Sequence, residues 1–401
     1  MKETSSETGF FRPDHYLKYP VVFKSASGAT IEDINGRQYL DLSAIMGAVN
    51  CGHGVPQIKN RLIKQVDTMW TSNFFPTDVQ LEAIANINTI LPASLKVAAL
   101  YSTGAEAIEF ALRLARAGTG RNRILSFKDH FHGKTLGTMH LVQHFPDCYG
   151  PVPGSYRTVI DSDGSDEIEL IEEYLNAVPA EDVAAVIFEP VVGYSGPRRL
   201  HKDFLKTVRK YCDEHDIVMI ADEILTGFHR CSGWFCSCAG PIHPDIIVFG
   251  KGLGNGFPIS GVACTESLAK SAANALPGST FAGNSLACAA ACGVLEFMQQ
   301  QDFTEKTAML ETMFYSYFSQ PRFEAYGLKL DGVGALLSIG FQDPTFNRIP
   351  DIYLKLLSRG IITSHTQRNL RISPPLTIDP AEFDRGLAVI GKCLEEFCKD
   401  L

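Results

Sequence analysis

The chain has 401 residues, of which 45% are hydrophobic and 20% charged, and these values are typical of a globular protein with a large core. Its net charge of −9 and the lack of any lysine or arginine run argue against a nucleic-acid-binding surface. No stretch reaches the roughly 18 uninterrupted apolar residues of a membrane helix, and the polar N-terminus MKETSSETGFF lacks a secretory signal, so we expect a cytoplasmic protein without nucleic-acid or membrane partners.

The N-terminal section predicts short strands around a turn. Residues 21–43, VVFKSASGATIEDINGRQYLDLS, alternate apolar and polar side chains, which is the pattern of half-buried strands. Asn35-Gly36 lies inside this stretch and is a strong hairpin signal.

From about residue 55 onward the pattern alternates between helices and buried strands. This alternation implies right-handed crossovers and a mostly parallel sheet with helices on both faces. Ligands of such sheets bind beyond the carboxyl ends of the strands. The predicted helices are Ala105–Arg116 and Lys202–His215, and the predicted strands are Ile124–Phe127, Val183–Phe188, Ile217–Ala221 and Ile246–Phe249.

The last hundred residues have a different organisation. Gly332–Phe341 and Ile361–Ile372 each predict a strand, with helices between and after them. We expect a smaller α+β lobe that packs with the N-terminal strands.

Eleven cysteines are scattered through mostly apolar patterns, as expected of reduced thiols. A group of histidines and cysteines within residues 229–243 could suggest zinc. Its spacings are not those of paired C-x2-C knuckles, so we favour unpaired thiols on a loop and expect no metal. The group consists of His229, Cys231, Cys236, Cys238 and His243.

Lys251 stands between two glycines, directly behind the apolar run Ile246–Phe249. A charge at the end of a buried strand must be solvated, paired, or discharged by a lowered pKa. Two interpretations follow: a lysine that extends from a turn into water, or a lysine whose neutral amine is a nucleophile.

Several other features are weak when taken separately. Asp222 ends a buried strand, where a carboxylate could also cap the next segment. Ser102-Thr103-Gly104 begin a helix whose free amides would bind a phosphate, although N-capping explains the same residues. Phe131 adds an aromatic ring, and Thr280 precedes a helix of small residues. Together they describe a site for a flat, phosphorylated, cationic aromatic ligand that reacts with a lysine.

Six motifs follow one another in the order TGAEA, FHGKT, FEPVVG, ADEILTGF, PDIIVFGKGLGNGFPISG and STFAGN. In this order they resemble the class III aminotransferases, which are pyridoxal-phosphate enzymes of fold type I. The resemblance extends from DINGRQYLDLSA near the start to LRISPPL near the end. It favours the nucleophile interpretation of Lys251.

The resemblance implies an α/β fold of type I. The large domain would contain a mostly parallel seven-stranded sheet, and a small α+β domain would be built from both chain ends. We predict that residues 1–50 form the N-terminal part of the small domain, residues 51–290 the large cofactor-binding domain, and residues 291–401 the C-terminal small domain.

The resemblance also implies a site for pyridoxal 5'-phosphate. Lys251 would be the Schiff-base lysine and proton carrier, and Asp222 would keep the ring nitrogen protonated, which makes both residues catalytic. Phe131 and Ile224 would cover the two ring faces. Thr280 would reach the phosphate of the partner subunit in a homodimer. The other predicted cofactor residues are Thr103, Gly104, Ala105, Glu189 and His132, the last of which could instead be a packing histidine.

Predicted substrate residues begin with Arg371, which matches the arginine that binds the donor α-carboxylate in many family members. Tyr194 stands where ornithine and 4-aminobutyrate members carry a glutamate that shields this arginine. Met46 and Phe74 replace polar or tyrosine positions near the entrance. The resulting apolar mouth disfavours ornithine as substrate.

We therefore expect a homodimeric transaminase that works by a ping-pong mechanism. The donor would be glutamate or another amino acid, and the second substrate a carbonyl compound or ω-amine. Aminomutases, decarboxylases and racemases use the same scaffold, so the sequence leaves them open. Intact Lys251, Asp222 and Arg371 disfavour a regulatory protein that keeps the cofactor without turnover.

Overall fold

The computed structural model describes residues 19, 21–72, 75–142, 157–160, 168–201, 203–231, 233–275 and 277–399. Phe74, one of the predicted substrate residues, lies outside this part of the chain. Within the described residues, no helix has both the length and the apolar composition needed to span a membrane.

Strands and helices alternate along most of the chain. The strands are β1 (Phe23–Ser27), β2 (Thr30–Asp33), β3 (Gln38–Asp41), β4 (Leu95–Tyr101), β5 (Arg123–Phe127), β6 (Arg157–Ile160), β7 (Val183–Phe188), β8 (Val191–Val192), β9 (Arg198–Arg199), β10 (Val218–Asp222), β11 (Ile246–Phe249), β12 (Ser260–Thr265), β13 (Leu328–Val333), β14 (Leu336–Phe341), β15 (Ile361–Ile362), β16 (Ser364–His365) and β17 (Leu370–Ile372). The helices are α1 (Pro56–Val66), α2 (Asp78–Ile90), α3 (Gly104–Thr119), α4 (Leu136–Met139), α5 (Ile168–Asn176), α6 (Phe204–His215), α7 (Glu266–Ser271), α8 (Ser285–Gln299), α9 (Phe303–Phe318), α10 (Pro321–Glu324), α11 (Ile349–Ser358) and α12 (Pro380–Lys399).

A seven-stranded sheet forms the centre of the protein, in the order β4-β12-β11-β10-β7-β5-β6. Strand β12 runs antiparallel to both its neighbours, and the other pairings are parallel. Strands β7 and β11 have the predicted bounds, and every residue in them is buried. The predicted mostly parallel sheet is therefore confirmed.

The carboxyl ends of β4, β5, β7, β10 and β11 lie at the same edge of this sheet, because β4 and the four parallel strands share one direction. Chain segments that follow these strands therefore converge above one edge. They carry Ser102, Phe131, Glu189, Asp222 and Lys251.

A second sheet, β1-β2-β3-β15, is built from both ends of the chain. Strands β2 and β3 form the predicted hairpin, and Gly36 in its turn has φ of +80°, which favours glycine. Strand β15 pairs in parallel with β3 through Ile361 and Leu40. The predicted packing of the C-terminal lobe with the N-terminal strands is thus observed, while the domain boundaries after residues 50 and 290 stay a prediction.

The two strands predicted in the C-terminal lobe are wrong in detail. Gly332–Phe341 is not one strand, because the chain reverses at Gly334, whose φ is +61°, and β13 pairs antiparallel with β14. Ile361–Ile372 contains β15, β16 and β17 rather than a single strand, and a turn at Thr366–Asn369 joins the last two. Strands β13, β14, β17 and β16 form a third sheet in that order.

Helix α8 packs closely on α1 through small side chains. Seven of its fifteen residues are buried alanines, cysteines and Gly293, so the two helix backbones approach each other. A Cβ placed on Gly293 would lie 2.9 Å from the Cα of Ile58. This contact leaves no room for a larger residue.

We predict that Gly293→Val lowers the free energy of unfolding by about 1 to 3 kcal/mol, because the side chain would force α8 away from α1. The unfolding midpoint in urea measures the effect. Gly240→Val is the matched control, since a Cβ at Gly240 would have no atom within 4 Å. Equal midpoints for the two variants would contradict the close packing.

Candidate active site

Lys251 lies at the start of the turn that follows β11, and its backbone has φ of +39°, in the left-handed region that non-glycine residues rarely adopt. Burial lowers the pKa of its amine, while the carboxylates of Asp222 and Glu189 act in the opposite direction. A lowered pKa favours the neutral amine that a nucleophile needs.

A cavity of about 450 Å³ opens above the sheet edge at Lys251. Thr103 and Thr280 do not line it, and Thr280 is exposed on the surface. Most of the site residues predicted from the sequence do come together here. They are Met46, Gly104, Ala105, Phe131, His132, Glu189, Tyr194, Asp222, Ile224, Lys251 and Arg371.

Asp222 is buried at the end of β10 and is held by two hydrogen bonds. Its Oδ2 lies 2.8 Å from Nδ1 of His132, and its Oδ1 accepts from the backbone N–H of Ile224 at 3.1 Å. Nε2 of His132 is buried and has no partner among the described residues. His132 therefore contacts the predicted catalytic carboxylate and orients it.

The N-terminus of α3 forms one end of the cavity. Ser102, Gly104 and Ala105 line the cavity there. Thr103 instead forms a capping box with Glu106, whose backbone N–H donates to the threonine hydroxyl at 3.3 Å. A Cβ on Gly104 would lie 2.7 Å from Ile224, so glycine lets the helix end approach the cavity wall. Its free backbone amides suit an anion.

Glu189 follows β7 and holds the loop that carries Phe131. Its Oε2 accepts from the backbone N–H of Phe131 at 2.9 Å, and its own N–H donates to Nδ1 of His130 at 2.8 Å. Burial, followed by the nearby charge of Asp222, raises the pKa of Glu189 to about 8. The backbone N–H of Phe131 and the amine of Lys251 act on this pKa in the opposite direction.

Phe131 stacks on Tyr194, with ring centroids 4.2 Å apart and an angle of 18° between the planes. The guanidinium of Arg371 lies 5.5 Å from the centroid of the Tyr194 ring. The aromatic pair thus links the wall of the cavity to the arginine.

Arg371 is 7% exposed, and its guanidinium lacks a strong acceptor on one side. Nη1 donates to the backbone oxygen of Tyr194 at 3.0 Å, and Nη2 approaches the sulfur of Met46 at 3.7 Å. Nε has no partner among the described residues. A buried guanidinium with free donors is suited to bind a carboxylate.

Met46 belongs to an unusual turn at the rim of the cavity. Residues Ala44, Ile45, Met46 and Gly47 all have positive φ, from 43° to 73°. A residue with a side chain that is held at positive φ costs about 1 to 3 kcal/mol of conformational energy, and such strained residues cluster at functional sites. This conformation has no signal in the sequence, because only one of the four residues is a glycine.

Other residues of the cavity were missed by sequence reasoning. Lys134 follows His132 and Gly133 directly, so the FHGKT motif could have identified it. Leu336, Ser364 and Ser373 come from the third sheet and the segment after β17, and nothing in the sequence places them near Lys251. All four line the cavity.

The histidine and cysteine group at residues 229–243 does not form a metal site in the described structure. No group of three histidine, cysteine, aspartate or glutamate side chains is placed to hold a metal ion in the described part of the chain. The three cysteines of the group are free thiols, and burial raises their pKa values.

Comparison with known proteins identifies the family. The family described as Aminotransferase class-III matches residues 12–394. The chain is 31% identical to the acetylornithine aminotransferase of Archaeoglobus fulgidus, over 94% of this chain and 96% of that one. It is 30% identical to a 5-aminovalerate aminotransferase of Pseudomonas aeruginosa, over 94% of each.

An ornithine aminotransferase structure from Toxoplasma gondii has a TM-score of 0.87 at 28% identity, covering 97% of this chain and 95% of that one. The chain therefore belongs to the class III aminotransferases.

Membership in this family makes the protein a pyridoxal-phosphate-dependent transaminase. The cavity fits pyridoxal 5'-phosphate at three points. The N-terminus of helix α3 lines the cavity at Gly104 and could receive a phosphate, the buried carboxylate of Asp222 could face the ring nitrogen, and the half-buried Lys251 could react with the aldehyde.

We predict that Tyr194→Ala raises the Kd for pyridoxal 5'-phosphate about 2- to 13-fold, which corresponds to the roughly 0.5 to 1.5 kcal/mol of an aromatic pair. Without its stacking partner, Phe131 would hold the ring less well. Tyr194→Phe keeps the stack and should bind the cofactor like the unchanged protein. A titration of the cofactor-free protein followed by absorbance measures both constants, and equal values for the two variants would contradict the role of the stack.

Proposed function

We propose that this transaminase takes its amino group from L-glutamate or another α-amino acid and transfers it to a carbonyl compound in a ping-pong cycle. The observation that carries the proposal is a single cavity in which Lys251 and Arg371 both take part. Lys251 supplies the amine that would react with the cofactor, and Arg371 supplies a buried cation that would bind a substrate carboxylate.

Lys251 is proposed as the covalent anchor and as the group that moves the proton. When bound, pyridoxal 5'-phosphate supplies an electron sink that makes the α-proton of an amino acid acidic. The amine of Lys251 can take this proton only in its neutral form, which its burial favours. Its position at the carboxyl end of β11 keeps the amine inside the cavity.

Asp222 and His132 are proposed to act as a pair. Asp222 would keep the ring nitrogen of the cofactor protonated, and the 2.8 Å contact with His132 fixes the direction of its carboxylate. Phe131 and Ile224 would lie on the two faces of the ring, and Gly104 and Ala105 would donate amides to the phosphate.

The rest of the cavity wall is largely apolar and favours a substrate with one anchored carboxylate. Met46, Leu225 and Leu336 line the cavity together with Arg371. Among the lining residues, the carboxylates are Glu189 and Asp222, both buried, so no exposed carboxylate in this lining pairs with the second amine of a basic amino acid. Acetylornithine and 5-aminovalerate, which name two of the relatives, therefore fit this cavity lining better than ornithine does.

A homodimer with shared active sites is also proposed. Thr280 is exposed and lies outside the cavity, beside Ser279, whose hydroxyl is 3.2 Å from the carboxylate of Glu106 near the start of α3. Trp70 and Phe281 are 62% and 61% exposed, which suits an interface. Thr280 of a second copy would then complete the phosphate site. A cytoplasmic location stays a prediction from the sequence.

We predict that Lys251→Ala abolishes transamination and the covalent attachment of the cofactor, since the proposed reactive amine would be absent. Borohydride reduction followed by peptide mass spectrometry should find the cofactor on the peptide that contains Lys251. Lys270→Ala is a suitable control because the Lys270 side chain is 74% exposed. Cofactor attached to another lysine would overturn the assignment.

We predict that Arg371→Ala raises the KM for the amino donor by a factor that corresponds to about 2 to 5 kcal/mol, because the donor carboxylate would lose its buried partner. Arg371→Lys should give a smaller increase, since an ammonium keeps the charge but not the bidentate fork. Steady-state kinetics with L-glutamate measure both values. An unchanged KM in Arg371→Ala would remove this residue from the donor site.

A further inference from the structure

A second arginine, Arg230, lies behind the cavity and is completely buried, with 0% exposure. Its guanidinium is not part of an ion pair with any carboxylate in the described part of the chain, and its Nε has no hydrogen-bond partner there. An unpaired charge in a protein interior costs several kcal/mol. Burial accordingly lowers the pKa of Arg230 to about 10.

Arg230 binds three separate segments of the chain. Nη1 donates to the backbone oxygens of Ala335 at 3.0 Å and Pro374 at 2.7 Å, and Nη2 donates to Oδ1 of Asn50 at 2.7 Å. The next residue after Ala335 and the residue before Pro374 are Leu336 and Ser373, which line the cavity. The guanidinium therefore holds two parts of the cavity wall from behind.

Asn50 carries the contact from Arg230 to the Lys251 turn. Its Nδ2 donates to the backbone oxygen of Phe228 at 3.0 Å and lies against Gly252, where an added Cβ would be 2.6 Å from Nδ2. Gly252 follows Lys251, whose φ of +39° is strained for a residue with a side chain. The asparagine side chain, fixed by Arg230, thus supports the strained turn.

The charges that act on the Lys251 amine are of both signs. Asp222 and Glu189 favour the protonated amine, whereas Arg371 and Arg230 favour the neutral one. The groups that face Arg230 itself are Asp41 and the thiols of Cys51 and Cys231. In the proposed function a substrate carboxylate would neutralise Arg371. Arg230, which does not line the cavity, would keep its charge throughout.

We propose that Arg230 is a positioning residue that holds the Lys251 turn through Asn50 and supplies a constant positive charge to the active site while substrate covers Arg371. This inference rests on the proposed function, because it takes Lys251 as the reactive amine and Arg371 as the carboxylate site. It explains why the interior retains a cation without a carboxylate partner among the described residues. A neutral side chain could donate hydrogen bonds to Ala335, Pro374 and Asn50, so these hydrogen bonds alone do not require a positive charge at residue 230.

The test compares Arg230→Gln with Arg230→Lys in cofactor-free protein. The rate of covalent attachment of pyridoxal 5'-phosphate, followed by absorbance, is measured across pH without any amino donor. Removal of the positive charge should make the neutral amine of Lys251 less available, so the pH of half-maximal rate should rise in Arg230→Gln. It should stay near the original value in Arg230→Lys, which keeps the charge. Lys251→Ala shows which part of the signal belongs to Lys251.

Asn50→Asp provides a second variant if Arg230→Gln does not fold. The new carboxylate would pair with Nη2 of Arg230 and give up the hydrogen bond that Nδ2 of Asn50 donates to Phe228. Because it offsets the positive charge of Arg230, the pH of half-maximal rate should again rise. An unchanged pH of half-maximal rate in folded Arg230→Gln or Asn50→Asp would overturn the proposed charge role. An equal rise of this pH in Arg230→Lys would overturn it as well. Failure of the proposed function is recognised separately. The protein without substitutions would then attach no cofactor at Lys251, or it would react with no amino donor.

Discussion

The arrangement of the active site depends on one constraint: the amine of Lys251 must remain neutral inside a cavity that also contains carboxylates. Strand β11 brings the lysine to the sheet edge, and burial favours the uncharged amine. Asp222 and Glu189, which follow the neighbouring strands β10 and β7, act in the opposite direction. A fold in which strand ends converge at one edge supplies both the proposed nucleophile and the charged groups that shift its pKa.

The residues around the cavity separate into layers with different tasks. Asp222 is oriented by His132, and Glu189 holds the loop of Phe131, so hydrogen bonds fix the groups that we propose to contact the cofactor. Arg371 lines the cavity, and its Nε has no hydrogen-bond partner in the described part of the chain. Arg371 is itself largely buried, and this burial strengthens the attraction of its guanidinium for a carboxylate. In the proposed function, cofactor chemistry and substrate selection thus come from different segments of the chain.

Sequence reasoning predicted the parts of the protein that depend on local pattern. Strands β7 and β11 are continuous apolar runs, and their bounds were predicted correctly. The reversal at Gly334 was missed, because apolar residues continue on both sides of the turn and resemble one longer strand. Contacts between distant segments were also missed. The link from Arg230 to Asn50 joins residues 180 positions apart, and no local pattern encodes it.

The most direct test of the account is the absorbance spectrum of the purified holoprotein before and after addition of L-glutamate alone. We expect that the band of the covalently linked cofactor disappears, that 2-oxoglutarate is released in an amount equal to the active sites, and that a carbonyl substrate restores the band. A spectrum that ignores L-glutamate but changes with another amine would contradict the donor assignment. Release of carbon dioxide in place of a 2-oxo acid would contradict transamination itself.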